Sequence, residues 1–157
     1  MIRRLQNATA DVALGTELVR EYVIATAEET GHDVELILPL IPELQDFAAR
    51  YLTSGGAFLV AEEPDGIAGC VGVTPIDADT CEMNRLYVRD EFRRRGLARA
   101  LSIASMDAGR ELGFTRMILD VVPERKVAIA LYRSLGFTDT APKHDYPFAM
   151  VFLARGL

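Results

Sequence analysis

The period of the hydrophobic pattern constrains this chain's fold more than any other feature. Up to Gly55-Gly56 apolar residues recur at helical spacing, and from there to Val88 they recur at every second position. "AFLVAEE", the turn "PDG", "IAGCVGVTPI", the turn "DAD" and "TCEMNRLYV" read as three antiparallel strands in a meander. After Val88 the pattern alternates: helix, strand, helix, strand. Leu97, Leu101, Ala104, Ala108 and Leu112 make one apolar stripe closed by Gly113, and "RKVAIALYRSL" makes another closed by Gly136. "ELGF" and "SLGF" are thus one stop signal used twice, a glycine past the helix end with an apolar residue packing back. Between them "TRMILDVV" alternates too little for a half-exposed strand and should be central.

The earlier half supplies the remaining elements. "IRRLQ" reads as a first strand. Thr9 is placed to cap a helix carrying Val12, Leu18, Val19, Tyr22 and Val23 and ending at Gly31. Pro42 marks the start of a second helix, with Leu44, Phe47, Ala48, Tyr51 and Leu52 inward, and "FAMVFLA" is the last strand. The predicted order is β-α-α-β-β-β-α-β-α-β, an α/β (α+β) chain with one mixed sheet and helices on its faces. At 157 residues without repeats or a linker, it is expected to form a single domain, 1–157.

The loop after the third meander strand carries the chemistry. "RDEFRRRGLARAL" places Arg93, Arg94 and Arg95 before Gly96 at the start of a helix, with Leu97, Ala98 and Arg99 in its first turn. The formal net charge is −6, so this basic cluster is local. Arginines there oppose the helix dipole, and stability alone would favour Asp or Glu. The plain reading is a solvated basic turn. The functional one is an anion seat, in which free N–H groups, a glycine and guanidinium forks converge on a diphosphate. Neither GxxxxGK[ST] nor GxGxxG is present. The acidity argues against a nucleic-acid partner. No apolar run approaches the roughly 18 residues of a membrane span, and "MIRRLQNATADVALG" lacks the apolar core of a signal peptide. Cys70 and Cys81 match no metal or redox spacing and read as buried thiols of a cytoplasmic protein; no metal is expected.

"RRRGLA" fits the pattern Arg/Gln-x-x-Gly-x-Gly/Ala through Arg93, Gly96 and Ala98. With "CEMNRLYVRDEFRRRGLARAL" and "AIALYRSLGF" around it, the chain resembles the GNAT superfamily of acetyl-CoA-dependent N-acetyltransferases over nearly its whole length. The resemblance implies that backbone N–H groups from Arg94 to Ala98 hold the pyrophosphate of acetyl-CoA, helped by the arginines. It implies that the strand "NRLYV" bulges and splays from its parallel neighbour, so that the cofactor arm pairs near Leu86, Tyr87 and Val88. Tyr132 matches the tyrosine that protonates the departing thiolate, although its helical spacing also suits a core tyrosine. Glu82 is the candidate base, with an ion pair to an arginine as the alternative. Simple alternation puts Glu82, Asn84 and Leu86 on one face of that strand and Met83, Arg85 and Tyr87 on the other. The family's usual asparagine after the fifth strand is replaced by Arg125 and Lys126, and a cation there would have to take over its cofactor contact.

The implied reaction is direct acetyl transfer to a primary amine, with a small-molecule acceptor preferred. His32, Asp33, Glu35, Asn84, His144, Asp145 and Tyr146 are polar candidates for the acceptor end, both histidines reading first as surface residues. A non-catalytic acyl-CoA-binding sensor or interaction module is the alternative. A homodimer through an uncovered last strand is a further expectation.

Overall fold

The computed structural model describes all 157 residues. Strand β1 (Ile2–Arg4) leads to helix α1 (Thr9–Thr30), followed by a short α2 (Val34–Ile37) and α3 (Phe47–Tyr51). The meander is β2 (Ala57–Glu63), β3 (Gly66–Pro75) and β4 (Thr80–Val88). Then come α4 (Leu97–Glu111), β5 (Arg116–Val121), α5 (Lys126–Ser134), β6 (Thr138–Asp139) and β7 (Val151–Gly156). The strands form one sheet in the order β1-β2-β3-β4-β5-β7-β6. β5 is central, between β4 and β7, as its buried Met117-Ile118-Leu119 run suggests.

The glycine stops hold. Gly31, Gly113 and Gly136 all sit at positive φ, between 72° and 93°, where an L side chain is strained. Other expectations are corrected. Thr9 does not cap α1. Ala8 is the N-cap and makes no side-chain bond, while Asp11 ties down the entry by accepting from the Gln6 N–H at 2.8 Å. The single helix expected from Pro42 to Gly55 is broken. Pro39 and Pro42 have no N–H to donate and start two 3-10 turns, Leu38–Leu40 and Pro42–Leu44. Asp46 then caps a fresh helix by accepting from the Ala49 N–H. The two-residue β6 was not anticipated. It pairs with Leu153 and Ala154 and covers that part of the last strand's outer edge.

α4 and α5 cover one face of the sheet around Leu101, Met117, Tyr132 and Phe137. α1 and α3 cover the other around Leu18, Val19, Phe47, Tyr51 and Phe58. Gly15 lets α1 approach closely, since a Cβ there would lie 2.1 Å from the Phe47 ring.

Two irregularities of β4 set the position of everything functional. Its parallel pairing with β5 is confined to Thr80–Arg116, Cys81–Met117 and Glu82–Ile118, and beyond these rungs the strands diverge. Against β3, Gly72 faces Asn84 but Cys70 faces Tyr87, so β4 carries one extra residue in a bulge. Arg85 takes up the slack at φ 55°. The bulge overturns simple alternation past Asn84. Leu86 and Val88 pack with Met83 on the α4 side, and Tyr87 packs on the α1 side. Arg85 reaches the α1 side as well, where it meets Glu43.

Candidate functional site

Where β4 and β5 part, a cleft of about 1670 Å³ opens between the helix layers. One end is the arginine-glycine turn. Arg94 sits at φ 63° and Gly96 at φ 76°, a pair of left-handed residues that folds the chain back before Leu97 starts α4. No side chain caps this helix, and Gly96, Leu97 and Ala98 line the cleft. First-turn N–H groups without a cap form an anion seat in the field of the helix dipole.

The four arginines of the turn are not equivalent. Arg93 lines the cleft, donates Nε–H to the Val88 carbonyl at 3.3 Å and pairs with Asp90. Arg94 lines the cleft and holds no ion pair at the turn. Arg95 turns away to Asp65 at 3.6 Å and lies over the Phe92 ring. Arg99 bonds Ser134 Oγ at 3.0 Å, tying α4 to the end of α5. Across the gap Lys126, the first residue of α5, lines the cleft. Arg125 lines it too, but its guanidinium is engaged by Thr26 at 3.1 Å and Glu29 at 2.7 Å on α1.

The middle of the cleft is bounded by Leu86, Tyr87 and Val88 on the bulged strand and by Tyr132 on α5. Tyr132 is 8% exposed. Its ring packs edge-on to Phe137. Burial pushes the Tyr132 phenol well above its ordinary range, with Tyr22 adding to the effect and Arg125 opposing it. It therefore stays protonated at neutral pH.

At the other end the segment 141–150 folds back over β4 and β5. His144 Nε2 lies 2.7 Å from Glu82 Oε2, so the carboxylate's partner is a histidine and not the arginine considered from sequence. Tyr146 donates its hydroxyl to Asp120 Oδ2 at 2.9 Å. One potential ligand atom from each of Glu82, Asp120 and His144 lies within 4.8 Å of the other two. His32 lies against Phe148, and both line the cleft. Asn84 lines it with its Oδ1 2.8 Å from the Tyr51 hydroxyl oxygen. Glu35 is exposed and stands outside the cleft.

Sequence reasoning missed four residues here. Asp120 had a signal, as the one carboxylate in the central strand, directly after Met117-Ile118-Leu119. Glu43, Arg50 and Arg85 had none, because what distinguishes them is long-range. Glu43 is fully buried and accepts from Arg85 Nε at 3.0 Å, Arg85 Nη2 at 3.3 Å and the Tyr51 hydroxyl at 2.9 Å. Burial alone would raise this carboxyl, but the hydrogen bonds and charge of Arg85 hold it below the usual carboxylate range. The cysteines are inert: burial lifts the Cys81 thiol to about 11 and Cys70 further still.

These features have counterparts in known proteins. Residues 19–137 match the family model described as Acetyltransferase (GNAT) family. An uncharacterized N-acetyltransferase of Schizosaccharomyces pombe is 35% identical over 140 residues, 88% of this chain and 83% of that protein. The uncharacterized N-acetyltransferase YjgM of Escherichia coli is 35% identical over 99 residues, 61% of this chain, and the match spans only 59% of YjgM. The acetyltransferase yncA of Salmonella typhimurium, solved with acetyl-CoA, superposes with a TM-score of 0.69 at 25% identity, over 99% of this chain and 92% of its own. With three quarters of its length inside the family model, the chain belongs to the GNAT acetyltransferase family.

Proposed function

We propose that this protein is an N-acetyltransferase that moves an acetyl group from acetyl-CoA to the primary amine of a small-molecule acceptor by direct attack. The observation that carries the reading is the order of parts along one cleft. An anion seat lies at Arg93–Ala98, the gap where β4 and β5 part follows, and a paired carboxylate and imidazole stand beyond it. The N–H groups of Gly96, Leu97 and Ala98 and the free fork of Arg94 take the diphosphate. Backbone of Leu86–Val88 takes the pantetheine arm as an added strand, and Lys126 supplies the cation opposite. A bulge N–H near Arg85 polarises the thioester carbonyl.

The amine nitrogen attacks that carbonyl carbon and the C–S bond breaks. Glu82, alone or through His144, takes the proton the nitrogen sheds. Tyr132 gives its phenolic proton to the leaving sulfur. Its raised affinity for that proton means one is always present to give at neutral pH. Much of the acceleration comes from holding the two reactants in attack geometry. The Cys70 and Cys81 thiols lie in the core and take no part, so no acyl-enzyme forms. We place the reaction in a single domain spanning residues 1–157, in the cytoplasm. No helix is long and apolar enough to cross a membrane.

The test is calorimetric titration with acetyl-CoA, followed by CoA-release assays over a panel of primary amines. Stoichiometric binding together with amine-dependent release that Glu82→Gln and Tyr132→Phe abolish is expected. Tight binding with no release for any amine would make the protein an acyl-CoA sensor and sink the catalytic reading.

A further inference from the structure

Arg50, at the end of α3, carries the one buried side-chain polar atom in the molecule without a hydrogen-bond partner, its Nε. The side chain lines the cleft and is 38% exposed as a whole. Its nearest carboxylate oxygen is Glu43 Oε2 at 4.0 Å, too far for a hydrogen bond. That oxygen already accepts from Tyr51 and from Arg85 Nε. Glu43 therefore compensates Arg85 and leaves Arg50 over, so the cluster of one carboxylate and two guanidiniums has an excess positive charge at the wall of the cleft. A desolvated donor without a partner is costly and is normally matched by something.

The opposite sign stands close by. Glu82 and Asp120 face the same cleft beside His144. Glu82 and Asn84 share a face of β4 ahead of the bulge, about 7 Å apart along the strand. Asn84 is joined to Glu43 through the Tyr51 hydroxyl. The Tyr146 phenol, raised by burial and by its bond to Asp120, lies in the field of both Glu82 and Arg85. Both charged walls thus line one cleft. An amine and a carboxylate carried on one molecule match this pair of walls in charge, each end held by a hydrogen bond of about 2.9 Å.

Resting on the acetyltransferase reading above, we propose that the acceptor is an amino acid or a close aminocarboxylate, its amine at Glu82 and His144 and its carboxylate on the guanidinium of Arg50, backed by Arg85. Arg50 gives up no hydrogen bond to engage it. The neighbouring walls, Ile37, Ile41 and Phe148, are apolar and suit an apolar side chain.

The test is acetyl-CoA-dependent CoA release with L-phenylalanine and L-methionine, each against its decarboxylation product, 2-phenylethylamine and 3-(methylthio)propylamine. A charge-assisted bond to the carboxylate predicts a preference in kcat/KM of roughly tenfold or more for the amino acids. Arg50→Met, which keeps the stem and removes the charge, should abolish that preference chiefly through KM, and Arg50→Lys should restore part of it. An unchanged acetyl-CoA titration will show that both variants are folded. Equal rates on the two series would overturn the proposal while leaving the acetyltransferase reading intact. So would a preference that persists in Arg50→Met. Release with neither series, in protein that binds acetyl-CoA, would refute the small-amine reading and this inference with it.

Discussion

Arg94 is the residue at which stability and binding should move in opposite directions. It stands at φ 63° with an exposed side chain. A non-glycine residue in that region costs about 1–2 kcal/mol, whereas glycine costs about 0.5–1 kcal/mol of extra chain entropy. Arg94→Gly should therefore stabilise the free protein by up to about 1.5 kcal/mol. The same change removes the one guanidinium of the turn that lines the cleft without an ion pair. If it donates to a phosphate, its loss costs about 1.5–3 kcal/mol of binding, or roughly 10- to 100-fold in Kd. Urea unfolding reads the first quantity and titration with acetyl-CoA the second. Dephospho-CoA should lose the same factor, because the diphosphate is common to both ligands. Undiminished affinity would show that the turn does not seat the diphosphate. Stability falling together with affinity would show that the arginine is structural and its backbone strain immaterial.

Tyr132→Phe should lower kcat on the order of 10²-fold with little change in acetyl-CoA affinity; a parallel loss of affinity in a binding titration would assign the phenol to packing. Gly72→Ala should destabilise by about 1–3 kcal/mol, because a Cβ there lies 2.5 Å from Tyr51 Cε1 and 2.6 Å from Asn84 Oδ1; an unchanged urea midpoint would contradict the packing described. Glu43 titrates below its ordinary value, so its contribution to stability is whole above about pH 4.5 and is lost as pH falls through the folded value. Glu43→Gln should accordingly cost about 3–5 kcal/mol at neutral pH and much less in acid. A cost that is the same at pH 7 and pH 3, read by chemical denaturation, would refute the depressed carboxyl.

What the sequence made legible is local. Gly31, Gly113 and Gly136 announce helix ends because a left-handed residue is needed one step past the helix, and RRRG draws the eye to the cleft-lining turn because charge opposed to the dipole wants a reason. Strand β5 reads as central from its own composition. The bulge is different. It inserts one residue between Asn84 and Tyr87, and only the family resemblance of "NRLYV" signals it, since no pattern of apolar residues does, yet it moves Leu86 to the other face of the sheet. His144 reaches Glu82 across 62 positions only because residues 141–150 fold back. Glu43 reads as one charge in a short proline-containing turn until Arg85 and Tyr51 engage it. Contacts between distant residues, not misread propensities, account for most of what was missed.

The three rungs between β4 and β5 divide the sheet into two plates, β1 to β4 and β5 with β7 and β6, joined along a short seam. A seam that short is a hinge, and a molecule lying along the open side of it acts as a staple. Such a ligand, at a hundred times its Kd, adds about 2.7 kcal/mol to the folded state. Amides of β4 past Glu82 that face the gap should exchange with solvent in the free protein and become protected once it is filled. The cell's supply of ligand would then set not only how fast the protein works but how long each copy lasts.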